Sequence, residues 1–446
     1  LAETGVPAET QGTSARGEIV GKFWSSRVRE FGSFFNLKPR VFEMKQEIKY
    51  QQLSMEDALK TYAEWLMEQG IKSPEYFFKH HGEWYMLSYP LRTLMLCGKL
   101  YGKREYVDLA FEYIDIYLSE QLPNGAFTSN YRRQPTEKLT KKEFHEILRT
   151  GKVNIADVGS NVTWIIQAAT YADAPRREKY LGAVRRWLDN WVPLWALPEG
   201  GYGNGIWCGH KLNAPYTCAM STLVMALSAF SLVTGEDEYV GNAERCMEFQ
   251  CSKWLDNGLP LFLNCYPWIR EQALDDYGHS YYLLEGMCWT HYVSRNKKVR
   301  ALLEKRMSEM IFGKAGLLSQ WDKSWFSFTN TFQPLPLERP SSDMVSSRAG
   351  ATHGWELAKS NGIMHTFLYY LNHIEENPEL RGKTELGLKY LSNPLKARMS
   401  GVAAEIEEGY GKFAMQATGF AGLSLLEGIT KDSVFDLKVL NGKDLR

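Results

Sequence analysis

The chain has 446 residues, 52 basic and 52 acidic side chains that cancel to zero formal charge, 13% aromatic residues and seven cysteines. Zero net charge argues against a nucleic-acid partner, which asks for a basic surface. The odd cysteine count without a C-x-x-C pair argues against a disulfide framework, and no run is read as reaching the roughly 18 apolar residues of a membrane span.

The opening Leu1–Gly17 is small and polar and starts without Met, so a disordered leader, a processed chain and a secreted or periplasmic location are expected. From about residue 55 the 3.6-residue period and the breaker residues predict helices over 55–70, 88–101, 103–120, 157–172, 175–191, 215–234, 237–254, 277–294, 297–311, 353–375, 380–392 and 412–428. Tight links separate some of them: Gly102-Lys103-Arg104, Asp173-Ala174-Pro175 and Gly235-Glu236-Asp237. Glycine turns open the longer ones: Leu122–Phe127, Leu197–Tyr202, Leu255–Pro260 and Gly313–Leu317. Alternate members differ in kind. Stretches such as Glu105–Leu118 and Arg176–Trp191 carry charge on one side, whereas Tyr216–Val233 and Phe413–Leu426 are almost wholly small and apolar. A helix apolar all round is buried all round. The expectation is therefore an all-α (α/α)6 barrel, with six inner helices wrapped by six outer ones. Cys97, Cys218 and Cys288 fall in apolar helices and are expected as buried free thiols. The sequon at Asn161 lies inside a predicted helix and reads as accidental.

Links from inner to outer helices are short, and links from outer to inner helices are long (121–156, 192–214, 255–276, 312–352 and 393–411). All long loops then emerge where the inner helices begin, and long loops tend to carry function. Helix N-termini at that end favour anionic ligands. Several segments there bear chemistry. Asp157, in Asn154-Ile155-Ala156-Asp157, is either an N-cap or a carboxylate on the floor of a site. Asp275-Asp276 precede a helix with His279, Tyr281, Tyr282 and Glu285; adjacent carboxylates raise one another's pKa, and Glu285 has the phenols one turn earlier as partners. The glycine-rich Glu199–His210 offers Glu199 and His210 for proton transfer and Tyr202 and Trp207 for stacking on a sugar, or is a tight surface loop closed by its aromatics. Its G-x-G pattern follows no strand, which disfavours a nucleotide. His80–Tyr85 supplies a further wall, with Trp84 as a stacking ring. Arg348 and His353 with Glu356 can hold a carboxylate or form a surface ion pair. Glu405, Glu407, Glu408 and Tyr410 precede the last helix and read mainly as dipole partners. No cluster has convincing metal-ligand spacing, and no cofactor is expected.

The helix count, the loop asymmetry and the repeated glycine turns resemble the six-hairpin glycosidase superfamily over roughly residues 55–430, with 1–54 as an N-terminal extension and 431–446 as a tail. Within it the chain looks most like bacterial uronide-processing enzymes, of the β-glucuronidase or unsaturated uronyl hydrolase type. That resemblance implies a glycoside hydrolase that removes a uronic acid from an acidic oligo- or polysaccharide. It also implies that an Asp near the start of an inner helix is general acid and base, and Asp157 matches that position, although the surrounding motif is not the family's. The expected catalytic carboxylates are Asp157, Asp276 and Glu199, with Trp84, Tyr202 and Trp207 stacking on the sugar and Arg348, His353, His279 or His210 reading the uronate. Two other readings stand beside it: a polysaccharide lyase using Tyr281 or Tyr282 with His279, and a glycan-binding toroid without catalysis.

Overall fold

A computed structural model describes residues 52–80, 82–254, 260–261, 263, 265, 277–313, 316–322, 327–328, 361–393, 412–431 and 434–435, all within one compact unit that begins at Gln52. In chain order the helices are α1 (Met55–Trp65), α2 (Pro74–His80), α3 (Ser88–Tyr101), α4 (Arg104–Ser119), α5 (Lys141–Thr150), α6 (Ile155–Ala169), α7 (Ala174–Arg186), α8 (Thr217–Thr234), α9 (Asp237–Ser252), α10 (Tyr277–Val293), α11 (Lys297–Phe312), α12 (Ile363–His373), α13 (Pro378–Leu391) and α14 (Lys412–Thr430). Two of them, α1 and α7, run on into π-turns at Leu66–Gly70 and Trp187–Trp191.

The order of packing makes the fold an (α/α)6 barrel. α3 packs on α6, α6 on α8, α8 on α10, α10 on α12, α12 on α14, and α14 back on α3, which closes an inner ring. Each inner helix carries one outer partner: α4 on α3, α7 on α6, α9 on α8, α11 on α10, α13 on α12, and α1 on α14, so that the first and last elements complete the sixth hairpin. Composition explains which helix goes where. Every residue of α6 except Asp157 is buried, whereas α7 buries only Tyr180, Ala183 and Val184. Glycine lets the inner helices approach. A Cβ on Gly159 would lie 2.6 Å from the Thr222 hydroxyl, and one on Gly419 2.5 Å from the Pro90 nitrogen. α8 is long and apolar enough to cross a membrane by length and composition, which corrects the expectation of no such stretch; here 83% of it is buried in the ring. Cys97, Cys218 and Cys288 are free and buried as expected, and Asn161 is also buried, its amide donating to the Asp157 carbonyl at 3.0 Å.

The short links lie at the C-terminal ends of the inner helices, and the long ones lead into their N-terminal ends. Two elements in these long connections were not expected. α5 starts with a capping box, Thr140 and Glu143 bonding each other's backbone N–H. A three-stranded antiparallel sheet joins β1 (Lys152–Asn154), β2 (Gly205–Trp207) and β3 (His210–Leu212), with Lys152 opposite Trp207 and Trp207 opposite His210. A further pair, β4 (Trp321–Asp322) and β5 (Ser327–Phe328), lies after α11. At the opposite end Val434 and Phe435 are buried, and the Phe435 ring packs against Trp289, His365 and Tyr369, so this part of the tail enters the barrel.

Candidate active site

β1 runs directly into α6, and this junction sets Asp157. Asn154, the last residue of β1, is the N-cap: its side-chain oxygen accepts the Asp157 N–H at 2.8 Å. This replaces the alternative in which Asp157 itself capped the helix. Asn154 Nδ2 in turn reaches Asp157 Oδ2 at 2.8 Å and Ser129 Oγ at 2.8 Å. Asn204, buried just before β2, adds its side-chain oxygen to the Ala156 N–H at 2.9 Å and its carbonyl to the Ile155 N–H at 3.0 Å. The first turn of α6 is thus satisfied by neighbours, and the Asp157 carboxyl is left for other work.

Its electrostatics suit proton transfer. Burial raises the Asp157 carboxyl above the usual range; hydrogen bonds from Asn154 and Ser129 pull it down, the Glu83 charge raises it again and the Lys152 charge lowers it, and the net direction is upward. Yet Asp157 is the least buried residue of α6. Glu83 reaches this region from the segment before α3. It pairs with Asn130 in an antiparallel bridge and accepts from the Tyr85 hydroxyl at 3.3 Å. Tyr282 of α10 is buried, and the charges of both Tyr85 and Asp157 act on its phenol. Asp157, Glu83, Tyr85 and Tyr282 therefore form an acidic, aromatic patch at the N-terminal end of the inner ring.

A second polar cluster fills the bore. Glu285 Oε1 accepts from Arg92 Nη1 at 2.7 Å, and Glu285 Oε2 accepts from Tyr89 at 2.6 Å and Tyr281 at 2.8 Å. Arg92 also donates to Gln167 at 3.0 Å and to the Val434 carbonyl at 3.1 Å. Tyr281 meets His365 Nε2 at 3.3 Å. All of these side chains are buried. Burial pushes the Glu285 carboxyl up, but Arg92, His365 and Tyr89 outweigh it and hold it well below the usual carboxylate range. Burial pushes the Tyr281 phenol far up and the His365 imidazole down, so the pair stays neutral. A third buried carboxylate, Glu120 at the end of α4, takes the Trp84 Nε1–H at 3.3 Å and the Arg132 N–H at 3.0 Å, and burial still pushes it up to about 7.

The expected site residues that the structure describes lie in different settings. Glu199 stands exposed on the turn Leu197–Gly201, whose glycines lie against Arg245 and Phe249 of α9. Trp84 is a correction: it is fully buried between Phe78, Tyr117 and Tyr131, with no open face for a sugar. Tyr281 is likewise enclosed in the bore. Tyr202 is half-buried, its phenol pushed up to about 12 by burial. Trp207 and His210 sit on the three-stranded sheet, half-buried and exposed respectively. His279 lies in the first turn of α10, and nothing is described of its side chain. Asp275, Asp276, Arg348, His353, Glu356 and the acidic residues before α14 lie outside the described residues. No group of three His, Cys, Asp or Glu among the described residues could hold a metal ion. The segment of Glu83 was expected as a wall, but Glu83 was not singled out as a carboxylate, and Arg92 was missed as a core residue. The sequence did carry a signal for Arg92: it is a lone cation in the apolar run Leu91–Cys97, matched by the lone Glu285 in another apolar helix.

No protein-family model matches the chain, and no curated protein matches it. Solved structures do. A family 105 glycoside hydrolase from C. acetobutylicum ATCC 824 is 15% identical with a TM-score of 0.55, covering 82% of this chain and 99% of its own. A D-mannose isomerase is 10% identical with a TM-score of 0.59, covering 86% of this chain and all of its own, 100%. A polysaccharide lyase is 11% identical with a TM-score of 0.51, covering 84% of this chain and 99% of its own. At these identities the likeness is one of architecture, and the chain shares its (α/α)6 barrel fold with a hydrolase, an isomerase and a lyase.

Proposed function

We propose that this protein is a carbohydrate-active enzyme, and specifically a glycoside hydrolase that removes a uronic acid from an acidic glycan. The observation that carries the reading is Asp157: a carboxyl raised by burial, held by uncharged donors, and the least buried residue of α6. A protonated carboxyl beside an ionised one is the pair that glycoside hydrolysis uses. Asp157 gives its proton to the glycosidic oxygen as the bond to the anomeric carbon breaks. Water adds its oxygen to that carbon and passes a proton to Glu83, the carboxylate whose charge acts on Asp157. Asp276 remains the expected alternative for the second role.

The Tyr–His pair of a lyase finds a geometric counterpart in Tyr281 and His365, 3.3 Å apart, but both are enclosed in the bore and the phenol is pushed far from ionisation, which weighs against that reading. The test is turnover of 4-nitrophenyl β-glucuronide against the β-glucoside, with Asp157→Asn, Glu83→Gln and Asp276→Asn alongside. Release from the glucuronide alone, lost in Asp157→Asn and in one of the other two variants, supports the reading and assigns the second carboxylate. Without release, an unsaturated uronide disaccharide is the next substrate, read as loss of its ultraviolet absorbance. A gain of such absorbance from acidic polysaccharides would instead establish a lyase.

A further inference from the structure

The sheet in front of α6 orders its side chains in rows. Residues opposite each other on antiparallel strands share a face, as do residues two apart on one strand. The register therefore puts Lys152, Trp207 and His210 in one row, and Asn154, Gly205 and Leu212 in the next, on the same face. The inner row ends in Asn154, whose amide holds Asp157. Asn154 and Leu212 are buried, Lys152 and Trp207 half-buried and His210 exposed, so the rows step outward from the carboxyl to the surface. Within the outer row the Lys152 ammonium sits over the Trp207 ring, 4.4 Å from its centroid.

This changes the part Trp207 plays. One face of the ring carries a cation, and a cation–π seat narrows the positions a flexible lysine can take. The charge so placed acts at the Asp157 carboxyl. Glu83, whose charge acts on Asp157, makes the surroundings acidic, and a compensating cation favours the entry of an anionic sugar into such a site. An ammonium group offers three donors to a carboxylate, and charge-assisted bonds of this kind are the strong ones.

We propose that Lys152, seated on Trp207, is a specificity-determining residue that takes the carboxylate of a uronic acid whose glycosidic oxygen lies at Asp157. The inference rests on the reading of Asp157 as the acid, and it names the group that makes the site select acidic over neutral sugars.

The test is direct binding of glucuronate and of glucose to the full chain by calorimetry, for wild type, Lys152→Met, Lys152→Gln, Lys152→Arg and Trp207→Leu. Loss of one charge-assisted contact predicts about 10- to 100-fold weaker glucuronate binding in Lys152→Met and Lys152→Gln, with glucose unchanged. Lys152→Arg should keep most of the affinity, and Trp207→Leu, which removes the seat but not the charge, should fall between. On any uronide that is turned over, Lys152→Met should raise KM by more than it lowers kcat. Glucuronate binding that is absent in wild type, or equal in wild type and both neutral variants, overturns the proposal. The two readings fail separately. Uronide turnover that needs Asp157 but ignores Lys152 removes this inference alone, and Lys152-dependent glucuronate binding without turnover removes the hydrolase alone.

Discussion

Glu285 and Asp157 are carboxylates on inner helices of one ring, and the fold drives them in opposite directions. Burial raises both. Glu285 meets a guanidinium at 2.7 Å and two phenols, so its charged form wins in a fully enclosed site. Asp157 meets an amide and a hydroxyl, a second carboxylate acts on it, and burial wins. The partner's charge, more than depth, separates an ion pair that fills the bore from a carboxyl able to hold a proton.

Breaking the ion pair should have the largest effect on stability. Arg92→Met leaves Glu285 charged and uncompensated in the bore, and about 3–5 kcal/mol of stability should be lost in urea unfolding. The double variant Arg92→Met/Glu285→Leu should cost much less than the sum of the two single changes. If the single variants were near neutral, the bore would be wetter or looser than the hydrogen bonds imply.

At the other carboxylate the effect should fall on chemistry. Asp157→Asn keeps the shape and the Asn154 contact but cannot donate the proton. We expect turnover to fall by about 10²- to 10⁴-fold with little change in thermal midpoint. A large fall in stability with only a modest loss of activity would move Asp157 into the same structural class as Glu285.

Glu120 tests the rule at a third position. Its carboxyl titrates at about 7 in the fold, against about 4.3 in an unfolded chain. A group raised in this way stabilises fully below the unfolded value, and its contribution is lost as pH rises through the folded one. Stability should therefore decline between about pH 4 and 7, by about 4 kcal/mol at most. Glu120→Gln should flatten that slope, and an unchanged slope would show that Arg132 holds the carboxylate charged.

The smallest effect is expected at Asn154. Asn154→Ala removes the cap of α6, at about 1 kcal/mol. It also strips one hydrogen bond that pulls the Asp157 carboxyl down. The alkaline limb of the activity profile should then move to higher pH.

Sequence reading reached some of these groups and not others for physical reasons. Helix periodicity and the inner–outer alternation were visible because burial on all sides demands apolar residues all round, as in Thr217–Ser231. Short strands of three residues leave no period to detect, so β1 was read as part of the long link 121–156, and β2 and the start of β3 as glycine-rich loop. α5 was missed although Thr140-Lys141-Lys142-Glu143 carries a capping-box signature. Asp157 stood out by its place at a helix start; Glu83, some seventy residues earlier, stood in a segment read as a wall, but nothing in the sequence said that its charge would act on the same carboxyl.

By itself the sequence determined the all-α barrel, which helices line its bore and at which end the long connections gather, because local period and side-chain hydrophobicity are enough to say which faces leave water. Tertiary structure alone decided the protonation of each carboxylate, since that depends on the charge brought beside it from distant segments: Arg92 to Glu285, Glu83 and Lys152 to Asp157. It also decided that Trp84 belongs to the core, because a ring's exposure depends on which other rings close over it.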